Sequence, residues 1–275
     1  MKLINKNDIE GVYRQLGLAA EEYVVIHSSF LKTGIIRAEP VTNLPDNFYS
    51  VLESVMGENG NIFMPAFDYS FPSTKQVDLR SQAVVVGVWP EWFRVQPGVV
   101  RSAHPMFSYC GKGPKAINIC QPEIVEYDSF SSSSTMARLM ENDAMLLLQG
   151  THLGVATIVV LCEAILKVKY RFLKPFNGEL TLTNGKNVKA DFFHFCFPFN
   201  NEYRENYALL ESSLLSSGKM AKAVLGGGSV YAVKFKELYS MVEKLIKNDP
   251  FALLSHSPKN YYQFEQGQEV STPVY

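Results

Sequence analysis

The chain has 275 residues, 47% hydrophobic, 12% aromatic and 19% charged, enough apolar material to bury a large core as one domain or two intimate lobes. A net charge of −1 argues against a nucleic-acid binder or a protein held on a membrane by a basic surface. The opening MKLINKNDIEGVYRQLG lacks the apolar core of a secretory signal, and the apolar runs 146–148 and 158–166 are too short or too interrupted to span a bilayer. Cys110, Cys120, Cys162 and Cys196 show no C-x-x-C spacing, so the expectation is a cytoplasmic protein with reduced thiols, without a disulfide framework or a zinc knuckle.

In chain order, a helix is predicted over 7–16, followed by a buried, β-branched strand over 23–27. That strand delivers His27, Ser28 and Ser29 at its carboxyl end, where α/β sheets place small-molecule sites. A helix over 46–56 stops at Gly57, and a strand over 60–65 stops at Pro65. Residues 68–86 read as loop. A short helix over 89–95 is ended by Pro97-Gly98. The serine run 129–134 precedes a helix over 135–141 with Ser134 or Thr135 as N-cap, and 144–150 is a third buried strand. Residues 157–170, apolar almost all round, predict a buried helix. Asn184-Gly185 marks the turn of a hairpin over 180–188. A weakly alternating strand over 189–197 and amphipathic helices over 202–216 and 235–247 complete the pass. The glycine run 226–228 lacks P-loop spacing and reads as a flexible connection. Without internal repeats or a long linker, the chain is expected to be one α/β domain over 1–275, with a β-rich sub-lobe around 172–200.

The densest chemistry lies in 87–113, GVWPEWFRVQPGVVRSAHPMFSYCGKG, which gathers Arg94, Arg101, His104, Lys112, Ser102 and Ser108. Such grouping in a chain of low charge points to a site. Arg101, Ser102 and Ser108, with His27, Ser28 and Ser29, have the donors a pyrophosphate or ribose phosphate requires. Strand-end Ser and His also satisfy backbone, and both readings stay open. His104 is the candidate for proton transfer, or a structural histidine held extended before Pro105. His152, His194 and His256 carry no motif and are assigned surface or structural roles. Cys110 and Cys162 lack a local low-pKa signature and read as buried small residues. No His and carboxylate spacing matches a metal-ligand motif.

The pattern G-x-x-x-E-x-F-R-x-x-P-G-V-x-R-S-x-H-P-x-x-S-x-x-x-x-G over the same segment resembles the aminoglycoside 3-N-acetyltransferase family. The resemblance runs through nearly the full chain: His27-Ser28-Ser29 with Gly34, Phe63-Met64-Pro65-Ala66-Phe67, residues 134–139, Leu147-Leu148 with Gly150, and the stretch from Gly218 to Pro250. It implies an α/β fold with a central sheet flanked by helices and a smaller β-rich lobe. It also implies acyl-CoA as co-substrate, no metal, and an amino-sugar acceptor. The family's T-x-x-H-x-x-E element is met by Thr157 and Glu163, but its histidine, the family's general base, is Val160 here, which cannot accept a proton. Ala83, Val84, Gly154 and Ala156 replace hydroxyl or polar residues of the family. An acceptor side short of carboxylates suits a polycation poorly. The expected acceptor is therefore a nucleotide-linked deoxy amino sugar of surface-polysaccharide biosynthesis. The alternatives are an aminoglycoside, or a catalytically silent relative that only binds coenzyme A or a sugar. His104 and Glu163 are the expected proton-transfer residues, and Asp68, Asp78 and Thr157 the expected acceptor contacts.

Overall fold

The computed structural model describes residues 3–36, 43–81, 85–200 and 202–274. In chain order its strands are β1 (Leu3–Ile4), β2 (Tyr23–Ser28), β3 (Ile35–Ile36), β4 (Asn61–Pro65), β5 (Gln76–Asp78), β6 (Val100–Arg101), β7 (Tyr109–Lys112), β8 (Met145–Gln149), β9 (Phe172–Thr181), β10 (Asn187–Cys196), β11 (Met220–Leu225), β12 (Gly228–Lys234), β13 (Asn260–Glu265) and β14 (Gln268–Pro273). Its helices are α1 (Lys6–Gln15), α2 (Phe30–Thr33), α3 (Leu44–Met56), α4 (Phe71–Thr74), α5 (Val88–Arg94), α6 (Ala116–Cys120), α7 (Thr135–Glu141), α8 (Ile158–Ile165), α9 (Ala208–Ser216) and α10 (Phe235–Asn248).

Strands apolar on both faces must be covered on both, and that requirement builds the body. In β2, Val24 and Ile26 point to one side while Tyr23 and Val25 point to the other. In β8, Met145 and Leu147 oppose Leu146 and Leu148 in the same way. These strands lie inside a seven-stranded sheet of order β11-β12-β8-β2-β4-β7-β6. β2 is parallel to β4 and β8, and the outer pairings are antiparallel. One face is covered by Ile9, Val12 and Tyr13 of α1, Phe48 and Leu52 of α3, and Trp89 and Phe93 of α5. The other is covered by Val159 and Leu161 of α8 and Leu238 and Val242 of α10, with Leu180 and Phe192 from the β9–β10 hairpin. That hairpin and β5 form a second, three-stranded sheet, the β-rich lobe expected near 172–200.

Local chemistry sets the element ends. Asn5 and Asp8 form a reciprocal capping box on α1, with N···O distances of 2.8 and 3.0 Å, satisfying two orphan donors. Ser134 Oγ accepts from the Ala137 N–H, as expected of an N-cap. The helix predicted over 157–170 ends at Ile165 instead. Lys167 adopts φ 54, and the N–H groups of Lys167 and Val168 donate back to the Ala164 and Glu163 carbonyls, a Schellman closure that turns the chain into β9. The helix predicted over 202–216 starts only at Ala208, because Asn206 Oδ1 caps its first N–H and Glu202 is drawn away to Tyr262. The loop expected over 68–86 contains α4 and β5.

The glycine run is a tight hairpin turn between β11 and β12. Gly226 takes φ 59, and a Cβ there would stand 1.7 Å from the Thr33 carbonyl oxygen. Gly150, at φ 65, would place a Cβ 2.4 Å from the Ser29 carbonyl oxygen. Two segments therefore press bare backbone onto the turn that follows β2. No helix among the described residues is long and apolar enough to cross a membrane.

Candidate active site

Between the carboxyl ends of the parallel strands and the β9–β10 hairpin lies a cavity of about 760 Å³. The sheet side supplies His27, Ser28, Pro65 and Thr151, and the α8 side supplies Thr157 and Val160. The hairpin and the segments on either side of it supply Arg171, His194, Phe197, Arg204, Glu205 and Tyr207. A crevice outside the carboxyl ends of strands is where an open α/β sheet leaves room for a ligand.

Its two imidazoles are held neutral by burial. His27 is pushed down to about 4 by desolvation. His194 is pushed down to about 3, by desolvation first and then by the Arg171 charge. The His194 ring lies against Phe107, with centroids 4.7 Å apart, and its Nδ1 is buried with no hydrogen-bond partner among the described residues.

Opposite stands a fixed cation. Arg171 Nε donates to Glu163 Oε2 at 2.7 Å, and Tyr170 Oη donates to the other carboxylate oxygen at 2.8 Å. The guanidinium also lies 3.6 Å over the Phe197 ring centroid. Burial pushes the Glu163 carboxyl up, against the pull of Arg171 and Tyr170. A fully buried carboxylate needs such a partner, and here the partner is a guanidinium at the cavity wall.

The predicted residues divide sharply. His27, Ser28 and Thr157 line the cavity, as does Val160. Glu163 is 0% exposed and stands behind the wall. A helix turns about 100° per residue, so each three-residue step swings the side chain back by about 60°; by Glu163 the face has left the cavity. His104 is likewise fully buried away from the cavity, its Nδ1 accepting from the Met106 and Phe107 N–H groups at 3.0 Å each. Arg101 donates to Ser108 Oγ at 2.9 Å and to the Ala66 carbonyl at 2.8 Å, and Ser102 Oγ accepts from the Tyr109 N–H. Together these side chains tie the end of β4 to β6 and β7. Ser29 is the N-cap residue of α2, its N–H donating to the Gln149 carbonyl. Asp68 is buried and receives the Ser70 N–H and hydroxyl at 2.7 and 2.9 Å. Asp78 is clamped by Arg80 at 2.7 and 2.9 Å. Ala83 and Val84 lie outside the described residues.

Sequence reasoning missed Arg171, His194, Arg204 and Tyr207. For Arg171 a signal existed: a glutamate on an otherwise apolar, buried helix needs a cationic partner, and Arg171 is eight residues on. For His194 there was none, since a histidine in a weakly alternating strand has no motif.

The geometry defines an α/β protein with a small-molecule cavity at its strand ends, lined by two neutral imidazoles and by a guanidinium paired with a buried carboxylate. The model of the family described as aminoglycoside 3-N-acetyltransferase matches residues 25–247. Aminoglycoside N(3)-acetyltransferase IV of Salmonella sp is 25% identical over 256 residues, 92% of this chain and 91% of that protein. Aminoglycoside N(3)-acetyltransferase VII of Streptomyces paromomycinus is 27% identical over 230 residues, 77% and 75% of the two chains. Among solved structures, AAC(3)-Xa superposes with a TM-score of 0.75 at 19% identity, covering 90% of this chain and 93% of that one. AAC-IIIb, solved as a binary complex with CoASH, superposes at 0.74 with 18% identity, covering 93% and 100%. The chain belongs to the aminoglycoside 3-N-acetyltransferase family, and with it to the acyl-CoA-dependent N-acyltransferases. The resemblance read from 87–113 and the α/β fold it implied are borne out.

Proposed function

We propose that this chain transfers an acetyl group from acetyl-CoA to an amino group of an aminoglycoside-type amino sugar within the 760 Å³ cavity. The observation that carries this reading is the cavity itself, which brings His27 and Ser28 from the end of β2, Thr157 from the start of α8 and His194 from β10 onto one space at the strand ends. The amine attacks the thioester carbonyl, the C–N bond forms and the C–S bond breaks. The amine's proton passes to one of the imidazoles, and the departing thiolate is protonated in turn. In this reading His27 and Ser28, which line the cavity from the end of β2, orient the donor, and Thr157 the acceptor. Proximity of amine and thioester supplies a large part of the acceleration, up to about 7–11 kcal/mol in favourable cases. This assignment moves proton transfer from His104 and Glu163 to histidines that line the cavity. The acceptor class follows the named relatives; one neighbour, AAC-VIa, was solved bound to sisomicin.

A second acceptor, the nucleotide-linked deoxy amino sugar of surface-polysaccharide biosynthesis, has one observation in its favour. With Arg171 paired to Glu163, the charged groups left on the cavity wall among the described residues are Arg204 and Glu205, and a wall with one carboxylate lacks the acidic cluster that a polycation favours. Thiol release from acetyl-CoA separates the two when sisomicin and dTDP-linked amino sugars are compared as acceptors. Turnover on sisomicin supports the first reading and turnover confined to the nucleotide sugars supports the second. Thiol release with neither would return the chain to the silent, ligand-binding relative. In the active assay, His27→Ala and His194→Ala rank the imidazoles. Loss of the one that takes the proton lowers kcat by about 10²–10⁴-fold; if neither loses tenfold, the proton leaves by another route.

A further inference from the structure

The family match ends at residue 247, and the chain beyond it builds the antiparallel hairpin β13–β14. β13 lies against β9, and the two enclose a second cavity of about 660 Å³, a size that suits a small-molecule ligand (roughly 300–1,000 Å³). Its walls differ in kind. The turn after α8 presents Lys167, Lys169 and Arg171, while β13 presents Tyr261, Tyr262 and Phe264.

Both walls are fixed. Tyr262 Oη donates to Glu202 and accepts from Asn200, each at 2.6 Å. Lys169 Nζ stands 5.8 Å from the Tyr261 ring centroid. On the hairpin's outer strand Glu269 is taken by Lys174 at 3.4 Å, which leaves Glu265 as the acidic lining residue. Arg171 lines this cavity and the acyl-transfer cavity alike. One guanidinium, held by Glu163, therefore forms part of the wall of both spaces.

Cations on one wall and aromatic rings on the other meet the two needs of a nucleotide, charge for its phosphates and π-faces for its base. An aminoglycoside offers neither. We propose that the second cavity binds a nucleoside diphosphate moiety. Its base lies along Tyr261, the ring that Lys169 approaches, its phosphates reach Lys167 and Lys169, and Arg171 stands on the wall common to both cavities. The inference rests on the acyl-transfer reading of the first cavity. The same moiety has two sources there: the adenosine diphosphate part of the donor, or the nucleotide of a nucleotide-linked acceptor.

Calorimetric titration of the full chain with ADP, dTDP and inorganic phosphate tests the site without any turnover. The proposal expects at least one nucleoside diphosphate to bind at least tenfold more tightly than phosphate. It expects exposed Lys169→Glu and part-buried Tyr261→Ala each to weaken that binding at least fivefold, with thermal unfolding of both variants monitored to show they are folded. Binding that is absent, equal to that of phosphate, or undiminished in both folded variants overturns it. The source is read kinetically: Lys169→Glu raises the KM of acetyl-CoA if the donor fills the cavity, or that of a dTDP-linked amino sugar if the acceptor does. Failure of acyl transfer with every acceptor would sink the functional reading and leave the titration result standing.

Discussion

The two walls of the acyl-transfer cavity are made by different physics. The sheet wall carries His27, Ser28 and Pro65 at the ends of strands buried on both faces. Its positions follow from backbone regularity, so side chains are placed once the strands are. The hairpin wall carries Arg171, His194 and Phe197, on a lobe whose strands are mostly half-exposed. There the placement depends on individual side chains, above all on the Glu163–Arg171 pair at 2.7 Å. A site assembled this way can keep its scaffold while one wall changes its chemistry.

The sharpest break comes at that pair. Glu163→Ala strands a buried guanidinium and is expected to cost about 3–5 kcal/mol, measured as a drop in the urea midpoint. The double variant Glu163→Leu with Arg171→Met should recover most of that stability while still impairing the site. If the single variant costs under 1 kcal/mol, the hairpin wall does not depend on this pair.

Acidification probes both walls together. His27 titrates near 4 and His194 near 3 in the folded chain, against 6.5 when exposed. Between those values the unfolded chain holds protons that the folded chain refuses, so stability is present above pH 6.5 and is lost as pH falls towards the folded values. Each group contributes a slope of up to about 1.4 kcal/mol per pH unit. His104, near 3 for the same desolvation reason with His194 adding to it, steepens the curve. Unfolding free energies at pH 7 and pH 5 measure the slope, and His194→Phe should flatten it by one group's share. An unchanged slope would mean His194 is not held neutral.

Smaller effects mark the sheet side. Tyr13 Oη donates to Gln149 Oε1 at 2.6 Å in a buried contact between α1 and β8. Tyr13→Phe leaves that oxygen without its donor and should cost about 1–2 kcal/mol. Asn5→Ala removes half of the α1 capping box and should cost about 1 kcal/mol. Both are read from thermal or urea unfolding with site chemistry intact. A large loss of activity from either would blur the separation between the walls.

The same contrast explains what was legible in the sequence. β2, β4 and β8 were readable because β-branched or apolar runs, punctuated by Gly57 and Pro65, leave little choice of element. The Asn184-Gly185 turn gave the hairpin, whose register pairs Lys174 with His194, although that pairing cannot be read from either strand alone. The motif-rich 87–113 segment identified the family through residues that tie backbone together. Arg101, Ser102, His104 and Ser108 hold the end of β4 against β6 and β7, and polar side chains with that job look, in a sequence, like ligand-binding ones. Glu163 was expected to act at the ligand because the motif carries it. The helix's rotation turned it inward, and the residue it holds eight positions later took the cavity face. The shortened α8 had its cause in Lys167, a residue with no sequence signature for the left-handed turn it makes.

The glycine seam around the turn after β2 has a mechanical consequence. Gly150 and Gly226 bring two separate segments into backbone contact with the Ser29–Thr33 stretch, leaving no side chain between them to yield. The edge hairpin β11–β12 and the loop that presents Ser28 are therefore coupled like parts cut to a common stop. A bulky residue at position 226 would push on the Thr33 backbone and, through it, on the turn that follows Ser28.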